Sequence, residues 1–532
     1  MNIKRGIFQG DSLSPLLFVI GLIPLSCILR KDNAGYRFNK EVKVNHLLFM
    51  DDLKIYGKNE KEVERLSNTV NIFTKDIGME FGIEKCAHAT MKRGKLVTTG
   101  EMELSSGEVI KEIDQEKGYK YLGILEADTI KNTAVKEATN REYFRRLRKI
   151  TSSKLNGGNT FKAINSRAVS IMRYGAGILK WTKEELRAID RKTRKILTAN
   201  RMYHPQSDVH RLYLPRKEGG RGLLSIEDCV TDEEKSLSLY AARSEEVLLK
   251  EVMKEEIVPQ PTESVAAAKK LRKEERHFQW RDKQLHGKFL RDTDDVRGTE
   301  SWGWSRKGFL KKETEGLIFA AQDQALRTNW IKKHIDKREV SDKCRLCGER
   351  AESVDHLVAE CEKIAQKEYK KRHDNVARII HLELCQKYNL IGKVKWYNHK
   401  PESVMENDMV KILWDFNIQT DHIIQHRRPD IVVVDKSNRK CQIVDIAVPG
   451  DRRVAQKEQE KIEKYAELKR EIKKIWKMSK VGIVPIVVGA LGVVSVNLKD
   501  YLKMLDLGCT MNILQKAALL GTARLIRNVL ET

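Results

Sequence analysis

The pattern of apolar and polar positions divides the chain into four regions. Residues 1 to about 125 mix short apolar runs with glycine turns and predict alternating α and β elements. From about 129 to 255 the spacing is helical and basic, as in "REYFRRLRKI" at 141–150 and "WTKEELRAIDRKTRKIL" at 181–197. Residues 256 to 340 are rich in charge and helix formers, and their proline-bearing start, "VPQPTES", reads as a linker. Past residue 340 comes a Cys/His cluster and then a compact α/β pattern to the end. No internal repeat is visible. The expected fold class is multidomain, α/β plus α.

Two apolar stretches raise the question of a membrane. "MNIKR" followed by "LSPLLFVIGLIPLSCIL" imitates a signal peptide, but "GIFQGDSLSP" puts polar residues between charge and apolar run, and Pro15 and Pro24 are expected to break the run. The segment "VGIVPIVVGALGVVSV", 481–496, is short and β-branched and reads as a buried strand. No membrane partner is expected.

Charge changes the picture more. Of 532 residues, 100 are Lys or Arg and 75 are Asp or Glu, a net +25 that suits a polyanionic partner, nucleic acid foremost. A solvated basic surface is the plainer alternative. The nine cysteines form no regular framework, which points to a reducing, intracellular compartment.

In "RGIFQGDSLSPLLFVI" a glycine-containing loop leads to Ser14, placed to cap a helix, and to Pro15 in its first turn. Further on, "HLLFMDDLKIYG" predicts two short strands with Asp51 and Asp52 at the bend, where a divalent cation offsets their repulsion. Taken alone, the pair also suits a solvated hairpin tip. The ordered series "QGDSLSPLLF", "FMDD", "KC" at 85–86 and "YKYLGI" at 119–124 resembles the palm of reverse transcriptases. That resemblance implies that Asp51 and Asp52 lie at a polymerase Mg²⁺ or Mn²⁺ site, with Gln9 and Gly10 near template and incoming nucleotide. Met50 stands where many relatives carry alanine or valine. The resemblance further implies an additional aspartate and the fingers ahead of Met1, as in an N-terminally truncated piece of a longer polyprotein.

The helical region that follows, with "SDVHRLYLPRKEGGRGLLSIED" at 207–228, resembles the thumb of the same enzymes. Arg141, Arg145, Arg146, Arg148 and Lys149 are candidates for a phosphate backbone, or for an ordinary basic helix surface.

"CRLCGERAESVDHLVAEC" spaces Cys344, Cys347, His356 and Cys361 as C-x2-C-x8-H-x4-C, enough for a tetrahedral zinc shell. Lys343, Arg345 and Arg350 around the loop favour a knuckle that also grips nucleic acid.

In "RRPDIVVVDKSNRKCQIVDIAVPG" two strand-like runs flank the four-residue turn "KSNR". A symmetric turn pairs residues whose numbers sum to 875, setting Asp430 opposite Asp445 and requiring positive charge between them. Valine and isoleucine on both strand faces predict a central hairpin covered by helices. The following "RRVAQKEQEKIEKYAELKREIKKIW" predicts one long helix with Lys457, Lys461 and Lys464 along a stripe. Paired acids for Mg²⁺ or Mn²⁺ beside a lysine are equipment for phosphodiester hydrolysis; an accidental acid pair under a basic helix is the alternative. The arrangement resembles PD-(D/E)xK restriction-like nucleases, in the variant that follows a CCHC knuckle in some non-long-terminal-repeat retrotransposons, where the lysine, here Lys461 or Lys464, moves to the next helix.

The resemblance divides the chain into a partial reverse-transcriptase palm (1–128), helical thumb (129–255), basic helical linker (256–340), CCHC zinc knuckle (341–365) and restriction-endonuclease-like α/β domain (366–532). It implies a nuclear protein acting on target DNA and an element RNA, nicking DNA for target-primed reverse transcription. A folded, inactive nucleic-acid-binding remnant is the rival reading, and a captured host protein a third.

Overall fold

The computed structural model describes residues 10–39, 42–79, 82–255, 264–307, 309–508 and 511–530. They form two compact units: Met1–Glu142 with Ile171–Thr182 and Cys229–Val265, and Tyr143–Ser170 with Lys183–Asp228 and Ala266–Thr532.

The first unit contains helix α1 (Ser14–Lys31), the hairpin β1 (His46–Phe49) and β2 (Asp52–Ile55), helix α2 (Glu60–Asp76), and a second hairpin, β3 (Tyr119–Tyr121) and β4 (Ile124–Glu126). Ser14 is the first helical residue of α1 and not its cap; Leu13 holds that position, and the Asp11 carboxylate accepts the Leu13 N–H at 2.8 Å. Pro24 lies inside α1 and does not end it. One proline forfeits a single i→i−4 hydrogen bond, whereas Leu22, Leu25 and Leu29 stay buried with Leu66 and Val70 of α2. Unbroken, α1 is long and apolar enough to cross a membrane by length and composition. In α2 the Asn59 side chain accepts the Glu62 N–H at 3.0 Å, a regular N-cap.

Helix α3 (Asn132–Thr151) leads towards the second unit, which contains α4 (Lys183–Ala199), α5 (Val209–Tyr213), α6 (Val265–Asp282) and α7 (Lys370–Lys387). It then builds a five-stranded sheet in chain order: β5 (Val404–Glu406), β6 (Val410–Trp414), β7 (Ile431–Asp435), β8 (Lys440–Ala447) and β9 (Lys480–Val487). The first three pairings are antiparallel and the last, β8 with β9, is parallel. That parallel step needs a crossover, supplied by α8 (Val454–Lys464) and α9 (Ala466–Ile475); α10 (Leu498–Met504) and α11 (Met511–Leu530) follow β9.

Both faces of the β7–β8 hairpin are covered. Ile431, Val433, Val444 and Ile446 pack with α7, α10 and α11, whereas Val432, Val434, Cys441 and Ile443 pack with Tyr465 and with Leu468 and Ile472 of α9. Each such side chain contributes about 1.5–3 kcal/mol relative to exposure. Pro485 sits in β9, an edge strand, where the missing N–H breaks no ladder.

Three expectations need correction. The long helix after β8 is two helices, because Tyr465 leaves helical geometry (φ −104°, ψ 12°) and its buried ring joins the core beneath the sheet. The strand expected over 481–496 stops at Val487; Gly489 and Gly492, the latter at φ +104°, turn the chain back so that Val488 bridges to Val494. The described part of the stretch read as a linker, 264–307 and 309–340, contributes to a core: Trp280, Phe289, Trp302, Trp304 and Phe319 are buried with Val354, Leu357 and Cys361. Part of its charge is buried with them, as Lys312, Glu315 and Asp323.

His381 of α7 is fully buried against the Trp414 ring, with Nδ1 2.8 Å from His399 Nε2. Burial, then the neighbouring His399, pushes its pKa down to about 4. Between pH 6.5 and 4 the unfolded chain binds a proton that the folded chain refuses, so this residue makes stability fall as pH drops through that window, by up to about 3 kcal/mol. Urea denaturation at a series of pH values, wild type minus His381→Gln, should show that slope; a pH-independent difference would mean His381 titrates normally in the fold.

Candidate functional site

The β7–β8 register has Ile431 opposite Val444 and Asp435 opposite Lys440, so partner numbers sum to 875. The alternation of the strands then sets Asp430 and Asp445 on one face, the one that carries Val432, Val434, Cys441 and Ile443 and is covered by α9. Asp445 is 2% exposed. Lys461 forms an ion pair with its Oδ2, Lys464 Nζ lies 3.8 Å from its Oδ1, and the Tyr465 hydroxyl donates to Oδ1 at 2.6 Å. Oδ2 accepts no hydrogen bond of regular geometry. Lys457, third on the expected stripe, pairs with Glu460 instead.

Asp430 is held from the other side. Its Oδ2 accepts the Ile446 N–H at 2.6 Å and lies 3.2 Å from His373 Nε2, which is also 3.1 Å from the Ile446 carbonyl. Burial raises the Asp430 carboxyl, but His373 and the Ile446 N–H outweigh it and hold the pKa below the usual range. Burial works against a charged His373, yet Asp374 and Asp430 lift its pKa to about 10. The positive charge demanded between the two acids is thus supplied by His373 on one and Lys461 on the other, and removing Asp430 would strand an N–H and an imidazolium rather than relieve a repulsion. Sequence reasoning missed His373 and Tyr465. Tyr465 adjoins the candidate Lys464, but nothing in the chain links His373 to a strand 57 residues away.

Two carboxylates with a nearby main-chain carbonyl are a hard oxygen donor set, which fits Mg²⁺ or Mn²⁺.

The Cys/His cluster is equally specific. Ligand atoms of Cys344, Cys347, His356 and Cys361 lie within 4.8 Å of one another, the one such group of three or more among the described residues. Cys344 Sγ is 4.0 Å from Cys361 Sγ, and Cys347 Sγ is 3.4 Å from His356 Nε2. A tetrahedral zinc with Zn–S near 2.3 Å and Zn–N near 2.0 Å requires edges of about 3.5–3.8 Å. A tight turn makes the first half of the shell: the Leu346 N–H points at Cys344 Sγ, the Gly348 N–H donates to the Cys344 carbonyl at 2.8 Å, and Gly348 takes φ +72°. A helical turn, His356–Glu360, brings the rest, and the Tyr369 hydroxyl ties its Leu357 carbonyl at 2.8 Å. Main-chain N–H groups of Arg350 and Glu349 lower the Cys347 thiol, whereas burial and the Cys344 sulfur push Cys361 up to about 11. Arg345 does not project towards nucleic acid as expected; it is spent on the buried Glu352 and the Val529 carbonyl. Lys343 donates to the Glu349 carbonyl inside the loop.

In the first unit Phe49 pairs with Asp52 across a tight turn whose Met50 has φ +55°. Asp51 and Asp52 are exposed, not buried, and no third carboxylate completes a metal cluster with them among the described residues. The "YKYLGI" hairpin lies close by: after burial, the Asp52 charge is among the causes that raise the Tyr119 and Tyr121 pKa values, and Lys54 bridges to Glu126 at 2.6 Å. Gly10 has φ +99° ahead of α1; Gln9 falls outside the described residues. On α3, Arg141, Arg145 and Arg148 share the exposed side opposite Tyr143, Phe144 and Leu147, whereas Arg146 is half-buried and donates to the Arg167 carbonyl at 3.0 Å. Arg211, Arg216 and Arg221 of the thumb-like stretch turn inward onto Asp323 and Glu315.

Residues 1–125 match the reverse transcriptase (RNA-dependent DNA polymerase) family. The chain is related to non-long-terminal-repeat retrotransposon polyproteins. The retrovirus-related Pol polyprotein from type-1 retrotransposable element R2 of Popillia japonica is 30% identical over 234 residues, 42% of this chain and 37% of that protein. Its counterpart from Nasonia vitripennis is 21% identical over 456 residues, 84% of this chain and 40% of that protein. The chain thus spans about two fifths of the length of these curated relatives.

Purified protein should carry about one zinc per chain, and Cys347→Ser should release it and lower the melting temperature, because metal binding and folding of the knuckle are linked. Zinc content by elemental analysis decides: full retention in the variant would take Cys347 out of the shell.

Proposed function

We propose that this chain is a nucleic-acid-processing protein of the R2 retrotransposon type, in which Asp430, Asp445 and Lys461 form a metal-dependent site that nicks DNA. The observation that carries this reading is the meeting of both acids and the lysine on one sheet face, from strand register and helix placement alone. Asp430 and Asp445 would hold Mg²⁺ or Mn²⁺, and that ion supplies Lewis acidity at the scissile phosphate. Tyr465 fixes the Asp445 rotamer through Oδ1 and leaves Oδ2 turned to Lys461. Lys461 places an ammonium beside the carboxylates, where it can orient a water; Lys464, farther from Asp445, supports the local charge balance. The Cys/His cluster would take a zinc that anchors the neighbouring fold, and α3 would offer its exposed arginines to phosphates.

In this reading the 341–365 knuckle and the 366–532 α/β region act as a restriction-like endonuclease on target DNA, and the palm and thumb regions engage the element RNA in the nucleus. Asp51 and Asp52 would supply carboxylates to a polymerase metal. One observation favours the rival, an inactive nucleic-acid binder: His373 and Lys461 already neutralise the acids without a metal.

Nicking of supercoiled plasmid in Mg²⁺ or Mn²⁺ separates the two readings. Asp430→Asn and Asp445→Asn should fall to background while DNA binding persists, and Tyr465→Phe should lose roughly 10- to 100-fold, as expected for a residue that orients a ligand. Lys461→Met should cost more than Lys464→Met. Wild-type nicking in both aspartate variants would leave the binder as the correct description.

Any synthesis in primer extension on an RNA template should depend on Asp51, as expected for a carboxylate that helps to hold a polymerase metal. Incorporation that persists unchanged in Asp51→Ala would take Asp51 out of that site.

A further inference from the structure

The second unit carries a groove that the proposed cleavage does not use. It lies between α4 and α6, has a volume of about 360 Å³, and is floored by His210 and Tyr213 of α5. On α4 the buried residues Leu186, Ile189, Thr193 and Leu197 recur at helical spacing, which leaves Arg187, Arg191 and Arg194 on the groove side. On α6, Arg272 and Arg276, one helical turn apart, line the opposite wall.

These five guanidiniums meet three lining carboxylates, Asp190, Glu227 and Glu275. Asp190 is turned inward: it is 5% exposed, accepts the Ile226 N–H at 3.0 Å and the Ser225 hydroxyl at 2.9 Å, and burial raises its pKa despite those bonds. Asp228 lies behind Arg276 and Arg272, at 2.6 Å and 3.6 Å. Glu227 orients Arg187 at 3.1 Å, and Arg194 donates to the Tyr213 hydroxyl at 2.8 Å. The acids hold the arginines in place from below, while Arg187 and Arg191 remain about half exposed at 53% and 52%. An oriented guanidinium presents a planar fork suited to phosphate oxygens.

Dimensions choose the ligand. Arg187 to Arg194 covers about 10 Å of helix axis, room for roughly two or three consecutive phosphates. The volume suits part of one strand, not a duplex, and the Tyr213 ring on the floor, with Arg276 5.1 Å from its centre, offers the aromatic surface that single-strand grooves combine with positive walls. We propose that the α4–α6 groove is a binding site for the phosphodiester backbone of one single strand of nucleic acid.

The test uses the full chain in EDTA, which makes it independent of cleavage. Fluorescence anisotropy of 20-nucleotide single-stranded RNA, single-stranded DNA and duplex DNA is followed against salt for Arg187→Gln/Arg191→Gln, for Arg272→Gln/Arg276→Gln, and for a control, Lys473→Gln/Lys477→Gln, that removes equal charge elsewhere. Each groove pair should weaken single-strand binding at least roughly tenfold and flatten the log K against log salt slope by about 1.4, the control by neither. The RNA and DNA arms identify which strand the groove favours. The α4 pair, of which only Arg187 holds a half-buried acid, Glu227, while Arg191 meets the exposed Glu184, carries the test if loss of both Asp228 contacts lowers the melting temperature of the α6 pair. Unchanged single-strand affinity in the α4 pair, an equal loss in the control, or an effect confined to duplex would each overturn the proposal.

Discussion

Two carboxylates at the end of the β7–β8 hairpin, Asp430 just ahead of β7 and Asp445 in β8, one of them 2% exposed, impose the main electrostatic condition on the second unit. Like charges so placed destabilise a sheet unless something positive stands between them. The chain meets the condition from both ends: His373 on α7 reaches Asp430, and Lys461 on α8 reaches Asp445. Both helices are therefore tied to the strands by charge as well as by packing. The break at Tyr465 belongs to the same solution, because leaving the helix is what lets its hydroxyl reach Asp445 while its ring fills the core.

A set of groups that balances paired acids without a metal is also a set that a metal must rearrange. Hydrolytic and inert readings therefore start from the same geometry and differ in whether a divalent cation competes with an imidazolium and an ammonium for the same oxygens. A hard dication offers those oxygens shorter and stronger coordination than either does. At Asp445 the ion competes with the Lys461 ammonium on Oδ2, and at Asp430 with the His373 imidazolium on Oδ2.

The Cys/His loop is more than an appended module. Its Cys344, Cys361, Val354 and Leu357 share a core with Trp280, Trp302 and Trp304, so the segment that leads into it is built around it. Arg345 closing on Glu352 and the Val529 carbonyl ties the knuckle loop to the last helix, α11. On the knuckle Lys343 and Arg350 remain exposed.

Local patterns, read along the chain, determined the two acidic hairpins, the β7–β8 register, the covered faces of that hairpin and the C-x2-C-x8-H-x4-C cluster, because turn symmetry, alternation and ligand spacing operate over a few residues. The same local view misjudged Pro24 in α1, the helix break at Tyr465 and the aromatic core hidden in a charged stretch, since each depends on packing partners far away in sequence. It also placed Arg345 at a nucleic-acid surface that the fold denies it. Which cation meets which acid was decided only by tertiary structure. Lysine and histidine reach across several ångströms from any helix, so composition supplies the charges, and only the packing of α7 and α8 against the strand ends selects His373 and Lys461 from the rest.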